Sequence, residues 1–438
     1  MAVSKMWVGL FVAALFLGSV APGSSKAENI VYDGSNPGML QTNPVGTGTA
    51  IYPTGLSGNT VTVTASGPGS IFGGLALGNE DVRNNTVNVS NAIVATIRGG
   101  HSEGGGIVEN NTVNFFSGST IDLSGGYSIG GNAINNSVIL DGGSVHLEVS
   151  GGYSSGGDAI GNTVIVYDAA VGTHVAGGET DIGNAVKNTV IVNAGSVADI
   201  YGGLAFLAGN ATDNIVSLAG GTITGDVWGG HAPAGDAFTG NTLNVSNRFT
   251  FNSLNNFEFL NFNLPEGFQA NNPGDAMLTV AATSLGGAST VSSINVARGS
   301  SFAVGDTVAL INSTGVISGS LAKNTAQGLK GAALVYDWDV NLAANSLTAT
   351  LTGISANPQL KGPSQGALAG TALINEGGNL AAEQGISSAV DATCQKNPKG
   401  DKDCTGLIGF SALRAGFSRY NTGSHVDMTS FSFLAGLA

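Results

Sequence analysis

The stretch Tyr201–Gly230, "YGGLAFLAGNATDNIVSLAGGTITGDVWGG", opens on an aromatic residue followed by a glycine pair and closes on the same signature. The chain restates itself after about one strand-turn-strand length, and the restatement runs both ways from here. An Asn that precedes a short apolar alternation recurs at Asn59, Asn85, Asn111, Asn136, Asn162, Asn188, Asn214 and Asn241, with spacings of 26, 26, 25, 26, 26, 26 and 27 residues. Glycine pairs beginning at Gly73, Gly99, Gly125, Gly151, Gly177, Gly202 and Gly229 keep the same step, as does a Gly-[Asn/Asp]-Ala marker at Gly131, Gly157, Gly183, Gly209 and Gly235. Three markers in phase identify an internal repeat, and a period of this length points to a solenoid.

Each unit carries two strand signals. Apolar residues sit two and four places after the Asn, as in Val61 with Val63, Val113 with Phe115 and Val190 with Val192. This alternation of period two buries one face of a strand. A second strand ends in an apolar residue two places before the glycine pair: Ile71, Ile97, Leu123, Val149, Val175, Ile200 and Val227. One unit cannot bury its own apolar face, but stacked units align the same positions into a continuous core. Eight units at the strand spacing would make a stalk of roughly 40 Å. The glycine pairs suit corners that need positive φ or close backbone approach. The repeated Asn suits a left-handed corner and an amide ladder. The fold class expected is all-β: a right-handed parallel β-solenoid, or β-helix, with 26-residue repeats. Beyond Asn241, "RFTFNSLNNFEFLNFNLPEG" gathers Phe249, Phe251, Phe257, Phe259 and Phe262, as a cap over an open solenoid end would.

Composition narrows function. The chain has 438 residues, 69 of them Gly, only 10% charged residues and a net charge of −14, so a nucleic-acid partner is not expected. The first residues, "MAVSKMWVGLFVAALFLGSVAPGSSKAEN", combine Lys5, an apolar run from Trp7 to Val20 and small residues before Ala21 or Ala27: a secretory signal peptide. The two cysteines, Cys394 and Cys404 in "CQKNPKGDKDC", are expected to form a disulfide in an exported chain.

From Pro363 the pattern changes. "PSQGALAGTALINEGGNLAAEQGISSAV" predicts about 30 residues of helix spanning roughly 45 Å, with Ser364 as N-cap. Asn375, Glu376, Asn379, Glu383 and Gln384 make it too polar to face lipid, while its small residues suit a narrow water-lined tube. In "LIGFSALRAGFSRYNTGSHVDMTSFSFLAGLA", Phe431, Phe433, Ala435 and Leu437 alternate with polar or small residues, with Leu434 off the pattern, and Asn421-Thr422-Gly423 signals a turn. Two such strands read as a transmembrane β-hairpin.

These segments together resemble a bacterial type V autotransporter. The signal peptide, the Gly-Gly and Asn-Thr-Val repeats and "NFEFLNFNLP" resemble its passenger; "QGALAGTALINEGGNLAAEQGI" is similar to its pore helix, and "SRYNTGSHVDMTSFSFLAGLA" to its first barrel hairpin. The resemblance implies a signal peptide at 1–27, a solenoid passenger at 28–247, a β cap resembling an autochaperone at 248–357, and a linker helix with the first strands of a truncated barrel at 358–438. It implies passage through the periplasm and display at the cell surface. The partners implied are the outer membrane and its barrel-assembly machinery, with a host surface or like chains on other cells as adhesion targets. The family's barrel is twelve-stranded, and this sequence stops about ten strands short of it.

For chemistry, the Gly-Asp-Ser-Gly loop of the family's serine proteases is absent from the sequence. Ser124 and Ser150 precede glycine pairs as members of the repeat. Of His101, His146, His174, His231 and His425, only His101 and His231 share a repeat position, five repeats apart, which argues against a shared metal. Asp158 and Asp236 are equivalent but three repeats apart. The expectation is therefore a non-enzymatic adhesion or self-association scaffold without catalytic residues, cofactor or metal. The alternative is a β-helix enzyme acting on carbohydrate, which would need convergent carboxylates.

Overall fold

The computed structural model describes residues 27–393, 395–396, 400, 402–403, 409–421 and 425–437. Residues 1–26 of the expected signal peptide, and both Cys394 and Cys404, lie outside the described residues. The described chain is a parallel-stacked β-solenoid followed by a helix and an antiparallel hairpin.

The first wall of the solenoid is built from the strand that follows each Asn. Thr86–Val89 pairs in parallel with Thr112–Phe115, and so on through Ser137–Leu140, Thr163–Val166 and Thr189–Val192. Its inward residues, Val87, Val89, Val113 and Phe115 among them, are fully buried. Burying such a side chain is worth about 1.5–3 kcal/mol. The second wall is the long strand that carries the glycine pair, as in Ala92–Ser102 and Gly118–Ser128. A third wall, not expected from the sequence, is made of two-residue strands: Val82–Arg83, Val108–Glu109, Ala133–Ile134, Ala159–Ile160 and Ala185–Val186. These strands are too short to leave an alternation that could be read from the sequence.

The eight repeated Asn residues form one continuous ladder. From Asn59 to Asn214, each backbone N–H donates to the Oδ1 of the Asn one turn on, at 2.9–3.0 Å. The Nδ2 of the same seven residues donates to the same oxygen at 2.8–3.2 Å. Glu28 N–H tops the column by donating to Asn59 Oδ1 at 3.0 Å. From Asn111 to Asn241 the Nδ2 also reaches a backbone carbonyl one turn back, for example Asn162 to Ala133 O at 2.9 Å, which ties the ladder to the third wall. The left-handed residue is the one before the ladder Asn, not the Asn itself: Asn84, Asn110, Asn135, Lys187 and Asp213 have φ of 52–59°.

The glycine pairs are also explained differently from the expectation. None has positive φ among the described residues. A Cβ on the first glycine would meet the carbonyl of the next turn's glycine, at 2.4 Å for Gly99 against Gly125 O and 2.3 Å for Gly151 against Gly177 O. On the second glycine it would meet the ladder, at 2.4–2.8 Å from the side chain of Asn162 for Gly152. The pair is required by close approach of backbone and buried amide.

The stack does not stop at the phenylalanines. Phe249, Phe251, Phe257 and Phe262 are buried core residues of a further turn. The 21-residue strand Ala276–Val296 continues in parallel on top of them, and Thr307–Ser313, Ile317–Leu321 and Thr325–Lys330 continue on it. The antiparallel strands Leu334–Leu342 and Ser346–Ala356 then close the end, and Tyr336 and Trp338 of the first point into the core and are buried.

The helix runs through Lys361–Asn379, a π-helical segment Leu380–Gly385 and Ile386–Thr393. It starts before Pro363, so Ser364 is inside its first turn rather than at its cap; proline is tolerated there because the first N–H groups have no intrahelical partner. The hairpin pairs Gly409–Asn421 with His425–Leu437 and leans on the helix. Arg414 meets Glu383 at 3.3 Å, and the off-pattern Leu434 lies where a Cβ on Gly385 would be 2.4 Å away. The other face of the hairpin carries exposed Leu413, Phe417, Phe431, Phe433 and Leu437. No described helix is long and apolar enough to cross a membrane.

Candidate functional site

The glycine pairs that let the turns stack also bend the second wall. The residues before and after each pair point outward and converge across the bend. Stacking turns them into two columns. One runs His101, Tyr127, Tyr153, Glu179, Leu204 and His231. The other includes Arg98, Ser124, Ser150, Ala176, Tyr201 and Trp228. A third column beside them contains Glu148, His174 and Asp199. The bent face between these columns, the groove, carries side chains that are not repeated from turn to turn, and a cavity opens at its N-terminal end.

At its N-terminal end the groove is aromatic and cationic. His101 stacks on Tyr127 with ring centroids 4.9 Å apart, and Tyr127 on Tyr153 at 4.6 Å. The Arg98 guanidinium lies 3.4 Å over the Tyr127 ring, an arrangement in which the ring quadrupole attracts the cation. Arg98 donates to His101 Nδ1 at 2.8 Å, so that nitrogen is the acceptor, and His101 Nε2–H donates to Glu103. Burial holds the His101 pKa below its usual value, although Glu103 opposes the shift. A cavity of about 410 Å³ opens here, lined by Asn43, Phe72, Arg98, His101, Glu103 and Tyr127.

The centre of the groove is acidic. Glu148, His174 and Glu179 bring their ligand atoms within 4.8 Å of one another. His174 Nε2 and Glu179 Oε2 lie 3.5 Å apart, and neither atom has a hydrogen-bond partner. Glu179 is 2% exposed and His174 9%. Burial, and next the charge on Glu179, push the Glu148 pKa up. Burial pulls His174 down, but the neighbouring carboxylates Glu179, Glu148 and Asp199 outweigh it and the net shift is upward. Farther along, Tyr201 stacks on Trp228 at 6.3 Å, and His231 meets the Trp228 ring edge-on at 4.9 Å. Burial and the charges of Asp199, Asp226 and Glu179 push the Tyr201 hydroxyl up to about 12.

The structure separates the residues singled out from sequence. Asn59, Asn85, Asn111, Asn136, Asn162, Asn188, Asn214 and Asn241 form the buried ladder and do not reach the groove. Asp158 and Asp236 belong to a second corner ladder: Asp158 Oδ1 accepts from Asn184 N–H at 2.7 Å, and Asp236 N–H donates to Asn210 Oδ1 at 2.9 Å. Ser124 and Ser150 lie in a groove column, and among the described residues neither is hydrogen-bonded to a histidine. The described Ser–His pair is Ser119 with His146, at 2.9 Å on an exposed surface. His101 and His231 do share a column and lie five turns apart. The spacing test missed His174, whose partners are five residues along the same strand and 26 residues back. That signal was present in the sequence, but only the bend at the glycine pair shows that Glu179 returns to His174. Nothing is described of the His425 side chain.

No protein-family model matches the chain, and no curated protein or solved structure is significantly similar to it.

Proposed function

We propose that the chain is the passenger, with the start of the translocator, of a type V autotransporter, and that it acts at the cell surface as a non-enzymatic scaffold for adhesion or self-association. The observation that carries this reading is the joining of a repetitive solenoid to a hairpin whose Leu413, Phe417, Phe431, Phe433 and Leu437 are exposed on one face, while its other face meets a polar helix. That is the division of surfaces a strand pair needs between lipid and the interior of a barrel. The solenoid winds right-handed, as parallel crossovers overwhelmingly do. Its lateral surface exposes an apolar pair on neighbouring turns, Ile121 and Leu147, and the stacked turns offer an extended face on which weak contacts can be multiplied into avidity. Intact cells producing the protein should lose the solenoid to added protease and sediment faster than cells without it. A solenoid that resists protease until the cells are lysed would refute surface display.

A second reading, recognition or cleavage of a glycan along the groove, is favoured by the stacked rings on both sides of a carboxylate centre. Flat apolar ring faces suit sugar rings, and carboxylates suit their hydroxyls. New reducing ends on incubation with polysaccharides would establish it.

A further inference from the structure

We propose that Glu148, His174 and Glu179 form a zinc-binding site in the floor of the groove, with a fourth coordination position left for water. The proposal stands on the geometry of these side chains and is independent of how the chain reaches its destination.

Three observations lead to it. First, the donor atoms are arranged for a shared ion. Two ligands about 2.0–2.1 Å from a tetrahedral zinc are roughly 3.3 Å apart, and His174 Nε2 lies 3.5 Å from Glu179 Oε2. Second, both atoms are buried and without a hydrogen-bond partner, and the residues are 9% and 2% exposed. The two atoms face each other as an ion pair too long for a hydrogen bond, so an ion held between them would satisfy both better than they satisfy each other. Third, the local charge is one-sided. Glu148, Glu179, Asp122 and Asp199 act on this centre; His174, if protonated, balances one of these charges, and Arg98 already sits 3.5 Å from Asp122 and over Tyr127. A divalent cation supplies what the protein does not. One imidazole among the donors favours zinc over calcium or magnesium, which take all-oxygen shells.

The test uses the full chain purified in detergent, stripped with a chelator and titrated with Zn²⁺ by calorimetry and with Co²⁺ for its visible spectrum. The expected result is about one zinc per chain, with cobalt d–d bands of nitrogen–oxygen coordination. Glu179→Gln and His174→Gln should each weaken binding by more than about tenfold, since loss of even an outer-shell partner costs about that much. Asp158→Asn, on the other corner ladder, should leave it unchanged. Far-UV circular dichroism checks that each variant keeps its β structure, and the wild-type stoichiometry stands without any variant. Absence of zinc binding by the wild type would overturn the proposal. So would equal binding by folded Glu179→Gln, or a near-ultraviolet thiolate band that vanishes in Cys394→Ser and so puts the metal on cysteine.

Discussion

Replacing Asn162 with alanine tests the ladder where it is most enclosed. The side chain is fully buried. Its Oδ1 accepts from Asn136 N–H at 2.9 Å and Asn136 Nδ2 at 3.1 Å, and its Nδ2 donates to Ala133 O at 2.9 Å and Asn188 Oδ1 at 3.1 Å. Alanine removes all four bonds and keeps the fifth, from Asn162 N–H to Asn188 Oδ1. Asn136 Nδ2 retains Val108 O, but Asn136 N–H has no second acceptor. At about 1 kcal/mol net for each of the four bonds, plus about 1–3 for one orphaned buried donor, the loss should be roughly 5–7 kcal/mol. Asn162→Asp should be worse than alanine at neutral pH, because it buries a charge and turns a second oxygen toward Ala133 O and Asn188 Oδ1. Protonation lets that aspartate donate, so its penalty should shrink as pH falls. Urea unfolding of the full chain in detergent, followed by circular dichroism, reads both effects as midpoint shifts. An alanine variant within about 1 kcal/mol of wild type, or an aspartate variant that matches alanine at pH 7, would show that the ladder does not support the stack as argued.

Gly152→Ala places a Cβ 2.4–2.8 Å from the Asn162 side chain and should cost roughly 1–3 kcal/mol; combined with Asn162→Ala the losses should fall short of their sum, and full additivity would refute the contact. Lys187 holds φ +59° where other turns use Asn, Asp or Gly, so Lys187→Gly should raise stability by about 0.5–1 kcal/mol in the same assay. His101 faces Arg98, Glu103, Asp122 and Tyr127, and its folded pKa lies below the unfolded value. The unfolded chain therefore binds the proton first, and stability should fall as pH drops below about 6.5, less steeply in His101→Gln; parallel pH profiles would contradict this. On the proposed translocator reading, Phe431→Arg on the exposed hairpin face should disfavour membrane integration by roughly 2–4 kcal/mol and deplete the protein from the outer-membrane fraction, whereas Ser432→Arg should do so less; equal membrane recovery of both variants and the wild type would count against that reading.

The repeat, the two longer walls and the identity of every ladder residue were legible in the sequence, because stacking in register forces the same residue type to recur at the same step. Asn162 must resemble Asn136 and Asn188 if each amide is to serve both neighbours. The period-two apolar pairs were legible for the same reason: one face of each strand is buried on every turn. The two-residue third wall left no such trace, and positive φ passed from the ladder Asn to its predecessor because only backbone geometry decides which of two adjacent residues takes the corner. The cap moved two turns onward for a similar reason: Phe249 and Phe251 are as well suited to a larger core turn as to an end. The groove was least legible. Its residues do not repeat, and they meet only because the paired glycines bend each strand so that Glu179 returns toward His174 while the register places Glu148 one turn below. Periodicity encodes what every turn must share; the close approach of residues that differ from turn to turn was decided by the bend and the stacking in three dimensions.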